Sequence, residues 1–143
     1  MLSPRGDRGS VLILMPVGVL IVLLLGAIAV DLTTVQLRRQ QAVEAAASAA
    51  NDAVTFGLDE DALRAGRGYR LDPRRVRQVV LRSLEDQGVA DELVEAPVVT
   101  EPTPTSVRVE LVLRADYVFA RSLPGAPHST LVRGAATATA EQG

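Results

Sequence analysis

The chain divides by its hydrophobic pattern. From Val11 to Val30 it reads VLILMPVGVLIVLLLGAIAV, with no charged and no hydrogen-bonding side chain. At 1.5 Å per residue a helix of that length covers roughly 30 Å, the thickness of a bilayer's hydrocarbon core. From Leu32 the pattern becomes periodic. Leu32, Val35, Ala42, Ala46, Ala49, Ala53 and Phe56 recur at spacings of three and four, interrupted only by Arg39. Thr34, Arg38, Gln41, Ser48, Asp52 and Thr55 repeat on what the same period makes the opposite stripe. That is an amphipathic helix built on the best helix former. The two segments predict one rod of roughly 70 Å ending near Gly57.

Because Ala buries little area, an Ala stripe gains little on a loose surface, but it lets another backbone approach closely. The stripe therefore reads as a helix-packing face, used within the chain's own domain or in an assembly. The plain alternative is a surface helix with incidental Ala. Pro16, in the first turns, frees the carbonyl of Leu12. Gly18 and Gly26 are not four apart and give no small-xxx-small dimer signal.

Residues 58–71 are rich in Gly and Arg and read as a linker, with one helical turn at Asp59 to Leu63. Asp72-Pro73 is a helix start, an N-cap followed by Pro at N1. Val76, Val79, Val80 and Leu84 give that helix one apolar face, and Gly88 stops it. Leu93 to Thr100 predicts a strand that Pro97 confines to an edge. Glu101 to Ser106, with two Pro, reads as a loop. Val107, Val109, Leu111 and Leu113 alternate with charged residues, a half-buried strand extending toward Phe119. Ser122 to Ser129 is a turn, and Thr130 to Ala140 a last extended segment. The fold class is α+β: a long N-terminal helix, a short helix and a small three-stranded antiparallel sheet, which is also the pilin plan. The expected divisions are a tail (1–10), a span (11–30), a membrane-proximal helix (31–57), the linker (58–71) and a small domain (72–143).

Composition narrows this picture. Of 143 residues only 3% are aromatic, so the 48% hydrophobic share comes mostly from the span plus Ala and Val. Such a small domain needs its long helix, and a partner, for stability. A net charge of −2 gives no pull toward nucleic acid. With no Cys there are no disulfides and no thiolate chemistry. All 15 basic residues are Arg.

Arg5 and Arg8 before the apolar run, and Ala27-Ile28-Ala29 near its end, also fit a cleaved signal peptide. The run exceeds the usual signal core and its helical pattern continues past Ala29, which favours an uncleaved span. Arg8 lies near one edge of the run and Asp31 meets the other. The flanking Arg count is tied, Arg5 and Arg8 against Arg38 and Arg39. It is the closeness of Arg8 and the acid at Asp31 that favour an N-terminus in the cytoplasm of a plasma (inner) membrane, with the bulk outside.

No catalytic constellation is present, so the chain reads as a non-enzyme without cofactor, metal or small-molecule substrate. His128 is a lone histidine in a Pro-rich turn. Asp59-Glu60-Asp61 lacks the alternation of a calcium loop and reads as helix-start acids. Arg5-Gly6-Asp7 is a chance match to an adhesion tripeptide. Arg64, Arg67, Arg70, Arg74, Arg75, Arg77 and Arg82 precede a run of acids from Glu85 to Glu101. Arg74, Arg75, Arg77 and Arg82 are the candidate docking charges, for a copy of the chain, another protein or anionic headgroups. The alternative is a solvated bipolar surface.

Several pieces in order resemble a family. Arg8-Gly9-Ser10 leads into the run closed by Gly26-Ala27-Ile28-Ala29-Val30-Asp31. Then come Arg38-Arg39-Gln40-Gln41 and Ala42-Val43-Glu44-Ala45-Ala46-Ala47-Ser48-Ala49-Ala50. This is similar to the N-terminal membrane module of TadE/TadG-like proteins of the Flp (Tad) pilus assembly system, over roughly residues 8 to 53. The resemblance implies a single-span, minor pilin-like or assembly component of a pilus or secretion apparatus. Its partners would be the bilayer and other assembly proteins or copies of itself. Two departures stand out. If Gly9 were a prepilin cleavage Gly, the fifth mature position would be Leu14, not Glu. The chain also lacks the length and the Asp-x-Ser-x-Ser motif of a von Willebrand factor A-like domain, so it resembles the short form. The rival reading is a small secreted binding protein released by signal-peptide cleavage.

Overall fold

The computed structural model describes residues 8–140. Residues 1–7 of the expected tail, with Arg5 and the Arg5-Gly6-Asp7 tripeptide, lie outside them. The fold is α+β. Its organising element is α1 (Arg8–Phe56), a single helix of 49 residues. The helix starts ahead of Val11, so Arg8 to Ser10 belong to the rod. Pro16 sits inside it without ending it, since its missing N–H costs one bond near the start of a long ladder. The N-terminal part of α1 is long and apolar enough to cross a membrane.

Beyond Phe56 the chain folds back on α1. Asp59 caps α2 (Glu60–Arg64), its carboxylate accepting from the N–H groups of Asp61 and Ala62. The acids here are thus helix-start residues. Asp72 caps α3 (Pro73–Asp86), with Pro73 opening the first turn. Gly88 closes α3 at φ +70°, a conformation that disfavours side chains with a Cβ. The sheet follows in the order β1 (Val98–Thr103), β2 (Ser106–Asp116), β3 (Ser129–Thr139), antiparallel throughout.

Three strand boundaries differ from the pattern. Residues 90–92 form a 3₁₀ turn, and Leu93 makes only an isolated bridge to Leu113. Strand β1 therefore starts at Val98, past Pro97. It then runs through Glu101 and Pro102, read above as loop, with an irregular register between Thr100 and Thr103. A bulge at a sheet edge accommodates a residue that has no N–H to donate. Strand β2 stops at Asp116, short of Phe119, because the next residues turn to meet α1.

The core explains the order. Val107, Val109, Leu111, Leu113 and Ala115 of β2 alternate inward, as do Val132 and Ala138 of β3. They close on Ala42, Ala45, Ala46, Ala49, Ala50, Ala53 and Val54 of α1, with Val76, Val80 and Leu84 of α3 alongside. Each fully buried Leu or Val contributes about 1.5–3 kcal/mol. The boundary at 72 is consequently not a folding boundary. The sheet has no core without residues 42–54, and the expected linker supplies buried Ala62 and Leu71.

Candidate functional site

The expected packing face of α1 splits on inspection. Ala42, Ala46, Ala49 and Ala53 are wholly buried, and Val35 is half-buried against the same core. Leu32 and Phe56 are 66% and 62% exposed and do not belong to the face. Leu32 is the second residue past the end of the apolar run, and Phe56 lies in the last turn of the helix. Ala45, Ala50 and Val54 are buried members that a strict three-four count passes over. The face is filled from within, chiefly by β2 and β3 and on one flank by α3, so it is spent on the chain's own domain.

The small side chains matter because the sheet lies so close. A Cβ on Gly134 would run into the main chain of Ala42 and Val43. At Gly57 the same addition would meet the Ala53 carbonyl and a methyl of Val76. Gly57, just past the end of α1, is thus required for its small size and not for a positive φ.

The polar stripe lies beside the buried face and not opposite it. Arg38 donates to Glu92 at 2.7 Å and to Gln41 at 2.9 Å, tying α1 to the turn after α3. Asp52 accepts from buried Ser83 of α3 at 2.6 Å. Thr34 and Thr55 bond back to the carbonyls of Val30 and Asn51.

The end of the domain next to the apolar run holds a residue that periodicity does not single out. Asp31, the first residue past the apolar run, is 8% exposed. Its Oδ1 accepts from the N–H groups of Val118 at 2.6 Å and Phe119 at 2.9 Å, and its Oδ2 from that of Ala120 at 2.9 Å. Burial by itself would raise its pKa; the three N–H donors outweigh that and hold the carboxyl below its ordinary value. The sequence signal is partial: the acid stands directly against the apolar run, while nothing local marks its donors at residues 118–120.

The candidate docking arginines do not form one patch. Arg75 pairs with Glu60 at 3.1 Å and reaches the Leu58 carbonyl. Arg75 and Arg82 border a cleft between α1 and α3, together with Asp52, Phe56, Val79 and Asp86, so acids share their site. Arg74 and Arg77 are exposed, away from that cleft, and make no ion pair among the described residues. His128 is exposed, and its carbonyl accepts from the Tyr117 N–H at 2.9 Å. Among the described residues no group of His, Asp or Glu converges as around a metal ion.

No family model, curated protein or solved structure matches the chain. What bears on function is the geometry. That geometry consists of a bare apolar helix, a domain closed upon its continuation, and a carboxylate fastening the two at their junction.

Proposed function

We propose that the chain is a non-enzymatic, single-pass membrane protein of the TadE/TadG-like kind, a minor pilin-like or assembly component of a Flp/Tad-type pilus or secretion apparatus. One observation carries the reading. On α1 the large apolar side chains from Leu14 to Val30 are exposed, while Ala42 to Val54 supply the domain core. An apolar surface of that extent and length has the bilayer as its natural solvent. The N-terminus lies in the cytoplasm and the domain outside it. The domain presents surfaces such as Arg74 and Arg77 to partner proteins. The span stays uncleaved, in keeping with Leu14 standing where a prepilin cut after Gly9 would carry Glu.

Membrane fractionation with protease protection of the C-terminus, joined to the mass of the mature protein, tests this. A full-length protein in the membrane fraction, its C-terminus cut once the outer layers are opened, is expected. A C-terminus protected under those conditions refutes the orientation.

A secreted binding protein is the second reading, and one feature favours it. Every residue that α1 contributes to the core lies beyond Ala29. Cleavage there would leave the domain whole, and loss of residues 1–29 from the mass would establish it.

A further inference from the structure

We infer that the turn between β2 and β3 is a second membrane contact. Val118, Phe119 and Leu123, with Arg121, rest in the headgroup layer of the bilayer that takes the apolar part of α1. The inference depends on the membrane-spanning reading above.

The level of the turn comes first. Strand β2 runs antiparallel to the outgoing rod: Leu71 and Ala140 bond to Pro104 and Thr105 at the distal end, and Asp116 arrives near Asp31. The three bonds from the Asp31 carboxylate then pin residues 118–120 one position beyond Val30. A turn tied to the last residue before the hydrocarbon sits at the height of the headgroups.

Its side chains suit that height. Phe119 is 48% and Leu123 55% exposed, and Val118 is open beside them. One of the chain's two Phe is thus spent on a short turn, close to an exposed Arg121. Aromatic and aliphatic groups below an Arg whose guanidinium reaches upward to phosphate are the pattern of interfacial segments. The distal turn at Pro104-Thr105 carries no large apolar side chain.

The main chain of the turn is also prepared for low polarity. Besides the three N–H groups held by Asp31, that of Tyr117 goes to His128, that of Ser122 to Phe119 and that of Leu123 to Ala120. Internal pairing removes the cost of withdrawing these donors from water.

The absence of Cys makes the test direct, since a single introduced thiol can be labelled cleanly. Leu123→Cys, Val22→Cys and Gln78→Cys, each at an exposed site, are labelled with an environment-sensitive fluorophore. Each is reconstituted full-length in phosphatidylcholine–phosphatidylglycerol vesicles, after its melting curve is matched to the parent. The Leu123 label should lose intensity to a headgroup-level spin-labelled lipid, the Val22 label to a mid-chain quencher, and the Gln78 label to neither. If Leu123 behaves like Gln78, or is shielded from water yet untouched by lipid quenchers, while Val22 is quenched, the turn faces water or protein and the inference falls with the span intact. If Val22 is not quenched either, the spanning reading itself fails and takes the inference with it.

Discussion

Gly134 of β3 rests on the main chain of Ala42 in α1, with no room between them for a methyl group. The contact sets the distance between helix and sheet over the whole core. It also explains why the helix face is Ala and why the inward positions of the facing strand are Gly134 and Ala136. Gly134→Ala should therefore destabilise by about 3 kcal/mol, the upper range for overpacking. Thermal unfolding in detergent measures it, and an unchanged melting temperature would mean that helix and sheet stand further apart.

A large-to-small change in the core should behave differently. Leu113 is wholly buried in the central strand. Leu113→Ala is expected to cost about 2–5 kcal/mol through lost burial and a cavity. Its exposed neighbour Arg114 should tolerate Ala within about 0.5 kcal/mol. Denaturant unfolding of the pair distinguishes the two strand faces.

The Asp31 carboxylate gives the fold an acid limit. Its native pKa is lowered from an ordinary value of 3.8. Its contribution is therefore complete above that value and is lost as pH falls through the lowered native value. Asp31→Asn should lower the melting temperature at neutral pH, and the gap to the parent should narrow as the solution is acidified. Melting curves across that range check the sign; a gap that widened toward acid would contradict the bonding pattern.

Arg74, Arg75 and Arg77 reversed together to Glu should leave the domain folded, since none of the three is buried. Arg75 loses its pairing with Glu60, a surface contact worth at most about 1 kcal/mol. Co-purification of membrane partners with the triple variant reads the docking role. Undiminished recovery would remove these residues from it.

Much of this architecture was legible from spacing. The continuous rod, the Asp72-Pro73 start, the alternation from Val107 to Leu113 and the three-stranded count each follow from local rules that tertiary contacts reinforce. The strand across Pro102 was not, because a bulge at a free edge relieves what Pro forbids in a regular ladder. Nor was the target of the Ala stripe. Periodicity identifies a face and stays silent about its occupant, which here is the chain's own sheet. Asp31 escaped for a related reason: its donors come from residues 118–120, far along the sequence, and no local pattern announces them.

The unbroken helix through residue 31 makes the molecule a lever. With no hinge between the apolar stretch and the domain, the two must tilt together. Gly57 stands about 40 Å beyond Val30 along the axis. If the apolar stretch spans a bilayer as proposed, a lean of about 20° would swing that end sideways by roughly 14 Å. Side-to-side displacement of the far surface is thus geared to the angle of the apolar stretch, and Asp31 is the fulcrum at which the sheet is bolted to the beam.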